Sequence, residues 1–248
     1  MPHRDPATRL QSFSQFFKSW LGKHWQWMVM LLLGIYIPLQ IFIILALEIW
    51  QHEGGLHWDI AILERVHSVA NAKLDIFVRT FTHFGASWGV FPLFVAISIV
   101  LLSYRRWRSL TYFLINGLGC GVINQAGKNF WHRQRPALWE YPPEPGFSFP
   151  SGHAMSSMML VAGLVVLMWG TRWRWLVLGF GSLFVVAIGW TRLYLGVHYP
   201  SDIVAGWMVA LSWAIGVSLV VRPHFKPPNL LKDQAEDTVP EDELIPQG

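Results

Sequence analysis

Six stretches of the chain are almost unbroken in apolar residues, at about Trp27–Ile49, Trp88–Ser103, Leu110–Ala126, Ala154–Trp169, Trp175–Trp190 and Ile203–Val221. A helix needs roughly 20 such residues to cross the hydrocarbon core of a bilayer. The six runs come near or reach that length, and they predict six membrane-spanning helices. The first run is too long and too late for the apolar part of a secretory signal, and no small-residue cleavage pattern follows it. It is therefore expected to remain as an anchor. The second run is short and carries Pro92, with Trp88 and Tyr104 bracketing it as interface anchors.

Outside the runs the apolar positions follow a helical period. Leu10, Phe13, Phe16, Phe17, Trp20 and Leu21 share one face, which predicts an interfacial helix leading into the first span. Between Gly55 and Gly85, the sets Ile60, Leu63, Val66, Val69 and Leu74, Phe77, Val78, Phe81 predict one or two short helices on the outer surface. Their role is either packing or the wall of a lipid-entry groove. The segment after Pro223 is proline-rich and acidic without periodicity, so disorder is expected there. No internal repeat is present. The pattern predicts an all-α protein, a six-transmembrane-helix bundle with short interfacial helices on the non-cytoplasmic side. Its parts are a cytoplasmic or interfacial segment 1–25, a membrane domain 26–222 and an acidic tail 223–248.

Composition supports the membrane reading, since 53% of the 248 residues are hydrophobic and 14% are charged, too apolar for an ordinary soluble domain. The lone Cys120 excludes an intrachain disulfide and is expected to serve packing. The formal charge of +4 conceals an asymmetry, because Asp233, Glu236, Asp237, Glu241, Asp242 and Glu243 crowd the tail. The bases fall in short clusters beside apolar runs, which suits anionic headgroups and not nucleic acid.

Lys and Arg accumulate in cytoplasmic loops. Arg4, Arg9, Lys18 and Lys23 precede the first span; Arg105, Arg106 and Arg108 follow the second; Arg172 and Arg174 follow the fourth; Arg222, Lys226 and Lys232 follow the sixth. Both termini are therefore expected to be cytoplasmic. Arg65, Lys73, Arg79, Lys128, Arg133, Arg135 and Arg192 fall on the other side.

That other side also carries three short polar stretches. The first reads KNFWHRQRP, with Lys128 seven positions before Arg135-Pro136; the second is Pro150-Ser151-Gly152-His153; the third runs from Arg192 six positions to His198 and four more to Asp202. Hydrolysing a phosphate ester requires countercharge for the phosphoryl oxygens, a nucleophile, and an acid for the leaving oxygen. Arg135 and Arg192 offer planar forks that grip phosphate oxygens in pairs, and Lys128 offers a compact charge. Pro150-Ser151-Gly152-His153 has the form of a helix start, whose amides and dipole favour phosphate. There Gly152 permits close approach and Ser151 can act as cap, as donor, or as both. His198 and Asp202 are close enough for the carboxylate to bind one imidazole nitrogen and aim the other at phosphorus. Clustered carboxylates or a paired-histidine helix motif, which metal catalysis would need, do not appear; no metal and no cofactor are expected.

In their order and spacing the three stretches resemble the type 2 phosphatidic acid phosphatase superfamily, also called lipid phosphate phosphatases. The resemblance implies that His198 is the nucleophile, passing through a phosphohistidine. His153 is then the general acid that afterwards activates water, and Asp202 fixes the tautomer of His198. It implies phosphate binding by Lys128, Arg135, Ser151, Gly152 and Arg192. Thr191 departs from the pattern, standing where the family commonly has Ser, but keeps a hydroxyl. The expected partners are the bilayer and a lipid phosphate. Undecaprenyl diphosphate, phosphatidylglycerol phosphate and phosphatidic acid are all admissible, and no oligomeric state is indicated. The compact six-span size fits a bacterial inner or plasma membrane, with the site on the periplasmic or extracellular face. The alternatives are a lipid phosphotransferase using the same site and a catalytically silent protein that binds anionic lipid. Soluble vanadium-dependent haloperoxidases of the family lack such spans. The eight other histidines are expected to be hydrogen-bonded or anchoring residues, with His132, inside the first motif, the one best placed to touch substrate. Glu140 and Glu144 are expected to be solvated. Arg133, outside the matched positions, is expected to be an exposed interfacial base.

Overall fold

Every apolar run becomes a helix. The computed structural model describes residues 18–25, 28–51, 55–136, 138–139 and 145–223. Its main elements are α1 (Met28–Gln51), α2 (His57–His67), α3 (Ala72–Thr82), α4 (Val90–Ser103), α5 (Trp107–Trp131), α6 (Gly152–Leu167), α7 (Arg174–Tyr194) and α8 (Pro200–Val221). Residues 18–25 are helical as well, whereas the start of the expected interfacial helix at Leu10, the acidic tail, Glu140 and Glu144 lie outside the described residues.

Two prolines explain local geometry. Pro38 lacks an N–H and its ring would collide with the carbonyl four residues back. The chain meets this with one π-helical turn, Leu32–Tyr36, in which the Ile37 N–H reaches the Leu32 carbonyl. Pro92 stands at the third position of α4, within the first turn, where its N–H has no partner to lose.

Among the described residues four stretches are long and apolar enough to cross a membrane: Met28–Gln51, Ala72–Ser103, Arg174–Tyr194 and Pro200–Val221. The second comprises α3, the 3₁₀ turn His83–Gly85, a non-helical link over residues 86–89 and α4, which starts at Val90, close to the expected Trp88. α6 is apolar but shorter, with 16 residues, and α5, with 25, is long but carries Asn116, Asn124 and Gln125. Leu33, Ile44, Leu47, Phe91, Leu118, Val122, Phe180 and Leu183 are each more than half exposed. So apolar an outer surface belongs in lipid, and the chain is an integral membrane protein.

The interior is organised on α6, which packs against α5, α7 and α8. Met155, Met159 and Leu160 of α6 form one core with Tyr112, Phe113 and Cys120 of α5 and Val209, Ala210 and Val217 of α8. Two polar side chains at this depth donate to carbonyls: the Tyr112 hydroxyl to Ala214 at 3.2 Å and Asn116 Nδ2 to Met159 at 3.1 Å. α1 packs on α8, and its Ala46 carbonyl accepts from Trp131 Nε1 at the end of α5 at 3.1 Å. Because α5 to α8 alternate in direction, the C-terminal ends of α5 and α7 and the N-terminal ends of α6 and α8 share one end of the bundle. α2 and α3, the two short helices expected between Gly55 and Gly85, contact that end. Their buried positions differ from the apolar stripe: Leu63 and Val78 are fully buried, but so is Asp59, and Thr82 nearly so, while Val69 and Phe77 are exposed.

Candidate active site

α5 stops where His132 adopts a left-handed conformation, φ 49°, with its N–H on the Lys128 carbonyl at 3.2 Å. Lys128 therefore lies in the last turn, where the helix dipole favours a cation. Gly127 packs on Pro150, since a Cβ there would strike the proline ring, and this joins the first motif to the second.

Ser151 caps α6 and is fully buried. Its hydroxyl accepts from the Ala154 N–H at a long 3.5 Å, and its own N–H donates to the Asp202 main-chain carbonyl at 3.2 Å, which joins the second motif to the third. Gly152 faces Asn124 closely, with Oδ1 3.3 Å from where a Cβ would stand, and His153, half-buried, has Gly85 beside its ring.

The chain then reverses between Arg192 and His198. The Gly196 N–H reaches the Leu193 carbonyl at 2.9 Å and the Val197 N–H reaches the Arg192 carbonyl at 3.3 Å, with Gly196 at φ +63°. This is the paired-bond helix ending that demands a left-handed residue, and it folds His198 back beside Arg192. α8 opens with Pro200 at its first position and Asp202 at its third, whose Oδ2 accepts the Tyr199 N–H at 2.9 Å. Asp202 is thus a cap as well as a partner for His198.

His198 is 1% exposed. Its Nδ1 lies 3.4 Å from Asp202 Oδ2 and its Nε2 3.2 Å from Arg135 Nη1. Asp202 already accepts from Tyr199 and from Arg133, and Arg135 can only donate. The partners therefore assign the proton to Nδ1 and the lone pair to Nε2. Arg135 is itself oriented by carbonyls, Val197 at 2.8 Å, Gly146 at 3.1 Å and Pro145 at 3.3 Å. Arg192, also 1% exposed, donates through Nη1 to the Thr82 hydroxyl at 2.9 Å. The hydroxyl of Thr191 is occupied by the Ile188 carbonyl at 2.6 Å and Thr82 at 3.0 Å. The geometry thus brings His198, Asp202, Arg135 and the Ser151 amide into direct contact, and sets Lys128, His153 and Arg192 at the same end on α5, α6 and α7. His132 is exposed and packs edge-on against Phe147. Among the described residues no three His, Cys, Asp or Glu side chains are grouped to hold a metal ion.

Arg133 corrects the sequence reading. Expected as an exposed interfacial base, it is 6% exposed. It donates to Asp202 Oδ1 at 2.5 Å, to the Ser201 hydroxyl at 2.8 Å and to Asp59 Oδ2 at 2.9 Å, with its guanidinium 4.1 Å from the centre of the Tyr199 ring. A charge at this depth is stable only when paired, and two carboxylates supply the pairing. Asp59, which no motif contains, accepts in addition from the Ser201 N–H at 2.9 Å, the Ser201 hydroxyl at 2.7 Å and the Leu56 N–H at 3.0 Å. One signal could have exposed it: Asp59, Leu63 and Val66 share a helical face, so a carboxylate sits on the stripe that packs inward.

The profile of the PAP2 superfamily matches residues 105–226. A phosphatidylglycerophosphatase B from Bacillus subtilis is 30% identical over 177 residues, covering 68% of this chain and 86% of the relative. An undecaprenyl-diphosphatase from Sulfolobus acidocaldarius is 23% identical over 209 residues, covering 82% of this chain and 93% of the relative. The crystal structure of a transmembrane PAP2 type phosphatidylglycerolphosphate phosphatase from Bacillus subtilis superposes with a TM-score of 0.66 at 26% identity, covering 77% of this chain and 99% of that one. The chain belongs to the PAP2 superfamily.

Proposed function

We propose that the chain is an integral-membrane lipid phosphatase that removes a terminal phosphate from a phospholipid or an isoprenoid diphosphate. The observation that carries this reading is the orientation of His198, with Nδ1 on the Asp202 carboxylate and the Nε2 lone pair turned toward Arg135. Binding alone would need no oriented imidazole. A phosphoryl group entering the site takes the place of that Arg135 contact, and the guanidinium then serves a phosphoryl oxygen. Arg192, Lys128 and the first-turn amides of α6 at Ser151 and Gly152 add countercharge and donors.

In the first step the Nε2 lone pair forms a bond to phosphorus, the ester or anhydride oxygen departs, and His153 gives that oxygen its proton. Asp202 stabilises the positive charge that develops on His198. In the second step His153 takes a proton from water, whose oxygen attacks phosphorus; the P–N bond breaks, releasing phosphate and restoring the lone pair. No metal takes part in this scheme. α5 and α6 complete six spans, which leaves both termini cytoplasmic and the site on the opposite surface. The names of the relatives favour undecaprenyl diphosphate and phosphatidylglycerol phosphate as substrates, with phosphatidic acid as a third.

The test is phosphate release by the detergent-purified protein from these three lipids in the presence of chelator. His198→Ala is expected to lose roughly three to four orders of magnitude in kcat. Turnover by His198→Ala close to that of the parent would remove the mechanism, and activity that requires added magnesium would remove its metal independence.

A further inference from the structure

The pairing of Asp202 raises a question that the motifs do not answer: what fixes the carboxylate itself. Its Oδ2 is shared between the Tyr199 N–H and His198, its Oδ1 is taken by Arg133, and the Ser148 hydroxyl also bonds the carboxylate. Arg133 is fixed in turn by Asp59, on a helix far away in sequence, and by the Ser201 hydroxyl, which accepts from Arg133 and donates to Asp59. Asp59 and Asp202 are both fully buried, and the three groups Arg133, Asp59 and Asp202 carry one net negative charge. An imidazolium at His198 brings that sum to zero.

We infer that Asp59 and Arg133 are positioning residues of the phosphatase reaction: through Ser201 and Asp202 they set both the orientation of His198 and the ease with which it becomes charged. The inference rests on the reading of His198 as nucleophile. Neither residue touches the imidazole, so each acts through Asp202. α2 is then a catalytic brace and not only packing over the end of the bundle.

Electrostatics gives the two residues opposite signs. Attack requires neutral His198, so the acid limb of the rate profile marks its protonation. The groups around His198 are Asp202 on α8, Arg135 and Arg133 on the connection after α5, Asp59 on α2, Lys128 on α5, His153 on α6, Arg192 on α7 and the neutral Tyr199. Asp59→Asn removes a negative charge and disfavours the imidazolium, which moves the acid limb to lower pH. Arg133→Gln removes a positive charge and moves it to higher pH. For buried charges one contact apart, each shift is expected to be about 0.5 pH unit or more.

The experiment measures kcat and KM from acid to alkaline pH for the full-length protein in detergent, with dioctanoyl phosphatidic acid as substrate. The parent, Asp59→Asn, Arg133→Gln, Arg133→Lys and His198→Ala are compared. Opposite displacements of the acid limb, with kcat reduced about tenfold or more and KM within about threefold, are the expected result. Arg133→Lys keeps the charge but loses the fork, so its limb stays in place while kcat falls. Limbs that coincide with the parent's, or an Arg133→Lys with the parent's kcat, overturn the inference. Should Asp59→Asn or Arg133→Gln not fold, the kcat of Arg133→Lys decides alone. His198→Ala separates the two failures: if it is inactive while the other profiles match the parent's, only the positioning role is wrong, and if it is active the catalytic reading fails first.

Discussion

The two ends of the bundle spend arginine in opposite ways. At the motif end Arg133 and Arg192 are 6% and 1% exposed and meet carboxylates or a hydroxyl through directed hydrogen bonds. At the other end Arg105, Arg106, Arg108, Arg172 and Arg222 are exposed and Arg174 is half-buried. There Arg174 lies over the rings of Trp169 and Trp175 at 5.4 Å and 5.0 Å, and Arg172 lies over Trp173 at 5.5 Å. An exposed guanidinium keeps its hydration and gains little from any one partner. A buried one has surrendered water, so each of its contacts determines where it stands. The same residue type is thus an anchor at one end and a fixed part of the site at the other.

Within this comparison the largest effect is expected at Arg192, a buried arginine held in part by a neutral hydroxyl. Thr82 closes α3, and its hydroxyl accepts from Arg192 Nη1. Thr82→Val preserves shape and removes the acceptor, leaving a buried charged donor short of one bond, a loss of about 1.5–3 kcal/mol. Expressed in the transition state, that is a fall of roughly 10- to 100-fold in kcat/KM, read from phosphate release. An unaltered kcat/KM would mean that the phosphate-binding role proposed for Arg192 does not depend on α3.

Much of this arrangement was legible in the sequence, and the reasons are local. Apolar runs and motif spacing located α5 to α8 and put Lys128, Ser151, His153, Arg192 and His198 at helix ends, because those features are written in consecutive residues. The run from Trp88 to Ser103 corresponds to α4 at Val90–Ser103, whereas its link through His83–Gly85 to the helix at Ala72 is not written in the apolar pattern. The sequence pattern assigns Arg133 to the surface and does not single out Asp59, Ser201 or Thr82, because their meaning is tertiary. Arg133 and Asp59 are 74 positions apart, and nothing near either one names the other. The helical period on α2 drew attention to Ile60 and Leu63, but a stripe of apolar residues cannot distinguish a buried carboxylate from a solvated neighbour unless its partner is known. A count of charges does not help: the segments that carry Arg133 hold seven cations, and Glu53, Asp59, Glu64, Asp75, Glu140, Glu144 and Asp202 match them in number, so charge alone does not choose the pair.

A smaller effect is expected at Tyr199, where the ring matters and the hydroxyl does not. Burial pushes its phenol above the ordinary value, against the opposing charge of Arg133, so it stays protonated across the range in which histidines titrate. A group that keeps its proton cannot shape either limb of a bell-shaped profile. Tyr199→Phe retains the face over Arg133 and is expected to leave both limbs in place, with kcat within about threefold of the parent. An alkaline limb that moves in this variant would transfer that limb from His153 to the phenol.

The smallest effect belongs to the arginine end. Arg174 donates to the Trp169 carbonyl at 2.7 Å and lies over two indole rings, a denser set of contacts than Thr82 gives Arg192. By number alone those contacts of Arg174 outrank the Thr82 bond. Solvation reverses the order, because the half-buried Arg174 keeps access to water and lipid headgroups that replace what it loses, whereas Arg192 is 1% exposed. Arg174→Gln is expected to change stability by no more than about 0.5 kcal/mol and to leave phosphate release unaltered. Thermal unfolding in detergent, run beside the same assay, checks both. A loss as large as that of Thr82→Val would show that number of contacts, and not desolvation, governs what an arginine contributes at either end of this bundle.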